Sequence, residues 1–149
     1  MNKLALLFLV IAACSGSDAS KLDLLQASID RAQFDTSTSM PADPAPAVSA
    51  SVTFDAARKV YADMLALPEH VPVTHTCPAN YGVTYQVVFY DAGAELVTAA
   101  MTPAGCEVVI LTSKTSSAAL DPNPDFWRQL STDLGITEAQ IYPYQPPSS

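Results

Sequence analysis

Three apolar β segments joined by short turn motifs, with an amphipathic helical stretch before and after them, predict an α+β domain: a three-stranded antiparallel meander packed with two helices. The segments, 83–90, 95–101 and 106–112, are rich in Val, Ile, Tyr and Phe. Between them stand Asp91-Ala92-Gly93 and Thr102-Pro103-Ala104-Gly105, whose Gly and Pro suit tight reversals. Flanking stripes of apolar residues at helical spacing complete the pattern.

The chain opens with Lys3 ahead of an apolar run from Leu4 to Ala13. Ten residues cannot span a hydrocarbon core that needs ~20, and small residues follow, so residues 1–13 read as a removable export signal. The run ends in Ile11-Ala12-Ala13-Cys14-Ser15, which resembles the lipobox of bacterial lipoproteins. That resemblance implies acylation of Cys14 as the first residue of the mature chain, and an envelope location in which the lipid attaches the protein to a membrane. In a cell with two membranes, Ser15 would direct it to the outer one by resemblance to the usual sorting rule.

Residues 14–52 read as a tether with one short helix, capped by Ser20 and carrying Leu22, Leu25, Ile29 and Ala32 at helical spacing. From Asp35 onward Thr, Ser, Ala and Pro dominate, which favours extended, unpacked backbone. The folded domain then covers 53–142, and 143–149 is a tail.

With Cys14 assigned to lipid, Cys77 and Cys106 form an even pair in a compartment where disulfides persist, and a bridge between them completes the fold class. Closing a loop of about 30 residues restricts the unfolded chain by ~3.5 kcal/mol in the entropy model. The chain has 7 Lys and Arg against 15 Asp and Glu, a net charge of −8. Such a balance is repelled by phosphate backbones and anionic headgroups, which excludes nucleic acid as a partner and leaves the lipid to provide membrane attachment.

Within the domain, Thr53 is placed to cap a helix whose stripe is Phe54, Ala57, Val60, Tyr61, Met64 and Leu65, ended by Pro68. A second helix has Asn123 as cap, Pro124 in its first turn, Phe126, Trp127, Leu130 and Leu134 as its buried stripe, and Gly135 as its stop. If 91–93 is a three-residue loop, Val87 faces Val97, Tyr85 faces Ala99 and Val83 faces Met101. If 102–105 is the next loop, Met101 faces Cys106, Ala99 faces Val108 and Val97 faces Ile110.

These registers leave an outer face bearing Val88, Tyr90, Leu96, Ala100, Val109 and Leu111 among polar residues, more apolar than a solvated sheet face. Either the second helix or the N-terminal segment covers it, or Val88, Tyr90, Leu96, Val109 and Leu111 form a surface for an envelope protein partner.

Catalytic chemistry is not legible. There is no Gly-x-Ser-x-Gly elbow and no Gly-rich phosphate loop, and Ser113-Lys114-Thr115-Ser116 reads as a polar loop. Glu69, His70, His75 and Cys77 have zinc-ligand chemistry, but their spacing matches no common site and Cys77 has its use in the disulfide, so no metal or other cofactor is expected. Asp121 and Asp125 suit the start of a helix. Helical spacing makes Tyr61 and Trp127 core residues before ligand platforms.

The Cys77-Pro78 step, the strand from Tyr85 to Phe89 and Gly105-Cys106 resemble features of small secreted or lipid-anchored bacterial domains, a resemblance that transfers no catalytic residue. The expectation is a lipid-anchored, non-enzymatic binding or accessory module of the envelope. The alternatives are a small envelope hydrolase, which would need a cleft with converging titratable groups, and a structural protein without ligand.

Overall fold

The computed structural model describes residues 18–38, 47–72, 77 and 82–141. The fold is α+β, but its sheet has six antiparallel strands rather than three. In chain order the elements are α1 (Asp18–Asp23), a 3-10 turn (Gln26–Ser28), β1 (Arg31–Thr38), β2 (Ser49–Thr53), α2 (Phe54–Leu65), β3 (Thr84–Asp91), β4 (Ala94–Thr102), β5 (Val108–Ser113), β6 (Ser117–Leu120), α3 (Pro124–Leu134) and α4 (Glu138–Ile141). The sheet runs β2-β1-β3-β4-β5-β6. The predicted meander is therefore its central and right-hand part, extended at both sides.

The segment expected as a tether supplies much of the difference. Ala32 and Phe34 alternate with Arg31, Gln33 and Asp35, and β1 pairs with both β2 and β3. Leu22, Ile29, Ala32 and Phe34 are fully buried. The predicted helix stops at Asp23, and Ile29 and Ala32, which share its spacing, enter the core from a turn and a strand instead. Local composition disfavoured this strand; its long-range pairing with β3 and the stacking of Phe34 on Tyr85, centroids 5.1 Å apart, make it.

Helix α2 buries Ala57, Val60, Tyr61 and Met64 as expected. Phe54 does not join them: it is 64% exposed, with a left-handed φ of 49° at the strand-to-helix junction. Thr53 occupies the cap position without a side-chain cap bond. Tyr61 crosses to α1, donating from its hydroxyl to the Leu22 carbonyl at 2.7 Å, and meets Phe89 edge-on at 4.9 Å. Helix α3 follows its sequence signals closely: the Asn123 side chain accepts from the Phe126 N–H at 2.9 Å, and Gly135 closes the helix at φ 68°. Its Trp127 is buried, and the indole N–H donates to Glu107 at 2.7 Å.

Both predicted hairpins form with different registers. Between β3 and β4 the loop has two residues, Ala92 and Gly93, both at positive φ (48° and 84°), with Asp91 paired to Ala94 and a bulge after Phe89. Phe89 faces Val97, Val87 faces Ala99 and Tyr85 faces Met101. The slip is even, so the faces are as expected. Between β4 and β5 the loop is longer, and Thr102 faces Val108, Met101 faces Val109 and Ala99 faces Leu111. That slip is odd and turns β5 over. Leaving Cys106 outside the strand allows its disulfide with Cys77, at a Cα–Cα distance of 5.0 Å, while Gly105 bends the loop at φ 80°.

Candidate functional surface

The helices and the inward residues of the strands make one core cluster, from Leu22 of α1 through Tyr61 of α2 and Trp127 of α3 to Ile141 of α4. All of it lies on one side of the sheet. The other side is the surface singled out from sequence. Neither expected cover lies there among the described residues: α3 is committed to the core, and the N-terminal segment adds strands to the sheet's edge.

Two of its five expected residues are misplaced. Val109 and Leu111 are 0% exposed and belong to the core, because the odd register of β5 points them inward. Ile110, 40% exposed, stands on the outer face in their place, with Val108 beside it in the alternation. Val88, Tyr90 and Leu96 are partly exposed. Across the strands, Ser51, Gln33, Val88, Thr98, Thr112 and Ser117 share one row. The next holds Ser49, Asp35, Gln86, Ala100, Ile110 and Ala119. The face is thus hydroxyl- and amide-rich with single apolar residues set into it, less greasy than the sequence implied. At one end Arg31 lies over the Tyr90 ring, 4.1 Å from its centroid. Near the β4–β5 end Leu96 joins Glu95, Thr98, Thr112, Ser113 and Lys114 around an open depression of about 240 Å³.

Other groups with chemical potential sit away from this face. His70 Nδ1 contacts Asp121 Oδ1, held there by backbone bonds from the His70 N–H to Ala119 and from the Asp121 N–H to Pro68. Asp121 thus holds an imidazole, a pairing that sequence reasoning missed because the residues are 51 positions apart. Among the described residues no hydroxyl or thiol hydrogen-bonds to that ring. Of the residues with zinc-ligand chemistry, Glu69 and His70 follow α2. His75 lies outside the described residues, Cys77 is in the disulfide, and no group of three such side chains gathers among the described residues.

A shallow cleft of about 320 Å³ lies between the end of α2 and the start of α3, lined by Asp63, Leu67, Asn123, Asp125, Phe126 and Gln129. Beside it Lys59 spans Asp63 and Asp133, at 2.8 and 2.6 Å. Burial lowers the pKa of that ammonium, but its bonds to the two carboxylates outweigh burial and leave it raised. The bridge ties α2 to α3 as structure.

Cys14 and the apolar run before it lie outside the described residues, and among the described residues no helix is long and apolar enough to cross a membrane. Comparison with known protein families, with curated proteins and with solved structures finds no match.

Proposed function

We propose that this chain is a lipid-anchored protein of the bacterial cell envelope, acting as a non-enzymatic binding or accessory module whose outer sheet face meets an envelope partner. The disulfide carries the first part of this reading. It takes up Cys77 and Cys106 and leaves the third cysteine, Cys14, outside that bridge, at the end of an apolar run and in the context Ala-Ala-Cys-Ser. A structural disulfide also fits an oxidising compartment better than the cytoplasm. Two acyl signals or more give stable anchoring, which a lipidated N-terminus supplies without a membrane-spanning helix.

Support for the binding role is the one-sided fold: every helix among the described residues packs on one side of the sheet, leaving a broad face of hydroxyls, amides and spaced apolar groups. The anchor is tested by growing cells with labelled palmitate and partitioning the protein in detergent. Wild type is expected to take up label and enter the detergent phase, and Cys14→Ser to do neither. A Cys14→Ser protein that still fractionates with the membrane refutes the anchor.

A further inference from the structure

The two edges of the sheet are finished differently. At β6 the segment after α2 closes the edge: Glu69 bridges to Leu120, the His70 N–H donates to the Ala119 carbonyl at 2.8 Å, and the Asp121 N–H donates to the Pro68 carbonyl at 2.9 Å. At β2 nothing among the described residues does so, because β2 pairs with β1 alone. Its sequence, Ser-Ala-Ser-Val-Thr, also carries neither a charge nor a proline, two residue types that commonly blunt an edge.

The orientation of its free groups follows from the pairing. The Thr36 N–H donates to the Val48 carbonyl at 2.9 Å, and the Phe54 N–H to the Asp30 carbonyl at 2.7 Å. In an antiparallel ladder such bonded positions alternate, so Val48, Ala50, Val52 and Phe54 direct their amides to β1, while Ser49, Ser51 and Thr53 direct theirs outward.

From this we infer that β2 is a homodimer interface, pairing antiparallel with β2 of a second copy about a two-fold axis at Ser51. The strand is self-complementary in that register. Ser51 meets itself as a hydrogen-bonded pair, Ser49 meets Thr53, and Ala50 meets Val52. Polar side chains stay together on the outer face, and the half-buried Ala50 and Val52 complete each other on the core face, as an isologous contact requires. Charge points the same way. Copies of a chain at −8 repel each other over most of their surface, whereas this strand is neutral. The register also sets Phe54, a large exposed side chain held at a φ that bulky residues avoid, opposite Val48 of the second copy. Edge-to-edge pairing joins the two outer faces into one surface looking in one direction. The inference does not depend on what that face binds.

Sedimentation of the full chain in mild detergent, over a wide concentration range, tests it. Wild type is expected to show a concentration-dependent monomer–dimer equilibrium. Ser51→Pro removes an outward N–H that β1 does not use, and Ser51→Lys sets two like charges against each other. Each is expected to weaken the dimer by at least roughly tenfold with unchanged far-ultraviolet circular dichroism. If the proline variant misfolds, the lysine variant decides. A wild-type chain that stays monomeric, because another protein or another part of this chain holds that edge, overturns the inference; so does a dimer that folded Ser51→Lys leaves intact.

Discussion

On strand β5, neighbouring residues of nearly equal hydrophobicity have opposite fates. Val109 and Leu111 are sealed beneath the helices, while Ile110 stands 40% exposed on the outer face. The same division runs through β3, where Tyr85, Val87 and Phe89 are buried and Gln86, Val88 and Tyr90 are partly exposed. Hydrophobicity alone therefore does not decide which side of this sheet is the core. The phase of each strand decides, and the hairpin turns set that phase. The inner face holds the molecule together, and the outer face is left free of that duty.

Placing a charge on each face gives the sharpest contrast. Leu111→Glu is expected to cost more than about 4 kcal/mol and to unfold the domain, since the carboxylate would lie among core residues without a partner. Ile110→Glu, one residue earlier, is expected to stay within about 1 kcal/mol of wild type in urea unfolding. Equal losses would mean that both faces are core.

Trp127→Ala is the next largest change, with an expected loss of about 3 to 5 kcal/mol by the same measurement, because a buried indole leaves both a cavity and an unpaired Glu107. A loss below about 1 kcal/mol would take α3 off the inner face.

The Tyr61 phenol, also on the inner side, is pushed up to about 12 by burial, with the Asp23 carboxylate adding to the effect. In the unfolded chain the same group ionises near 10. The unfolded state therefore releases its proton first, and the folded state loses relative stability as pH rises from about 10 to about 12, on the order of 2 kcal/mol from this group. Tyr61→Phe is expected to flatten that part of the stability profile, because phenylalanine has no proton to release.

The smallest effect concerns the turn that sets the phase of β3 and β4. Ala92 holds a φ of 48°, where an L side chain is strained, so Ala92→Gly should raise the melting temperature, by roughly 0.5 to 1 kcal/mol in stability. A destabilised variant would mean that the turn does not need that conformation.

These contrasts also explain what could be read in advance. Helix α3 was legible because Asn123, Pro124, the stripe from Phe126 to Leu134 and Gly135 all act within one local segment. The disulfide was legible from cysteine arithmetic. Strand β5 was identified but turned over, since Val108, Val109, Ile110 and Leu111 are four apolar residues in a row with no alternation to fix their phase, and one unrecognised loop residue suffices to invert them. Strand β1 was missed because its alternation rests on Ala32 and Phe34 alone, and pairing with β3, about fifty residues away, makes it a strand. The candidate surface inherited the β5 error. Val88, Tyr90 and Leu96 keep their place on it, Ile110 replaces Val109 and Leu111, and its flanking strands β1 and β2 carried no signal that they would widen it.

That the outer face is the working surface is tested most directly by photo-crosslinking in intact cells. A photoreactive phenylalanine analogue is placed at Val88, in the centre of that face, and for comparison at Thr132 on the exposed side of α3. If the outer face is the working surface, position 88 gives a discrete crosslinked product and position 132 gives none. Equal products from both positions, or none from position 88 in a folded protein, would contradict it.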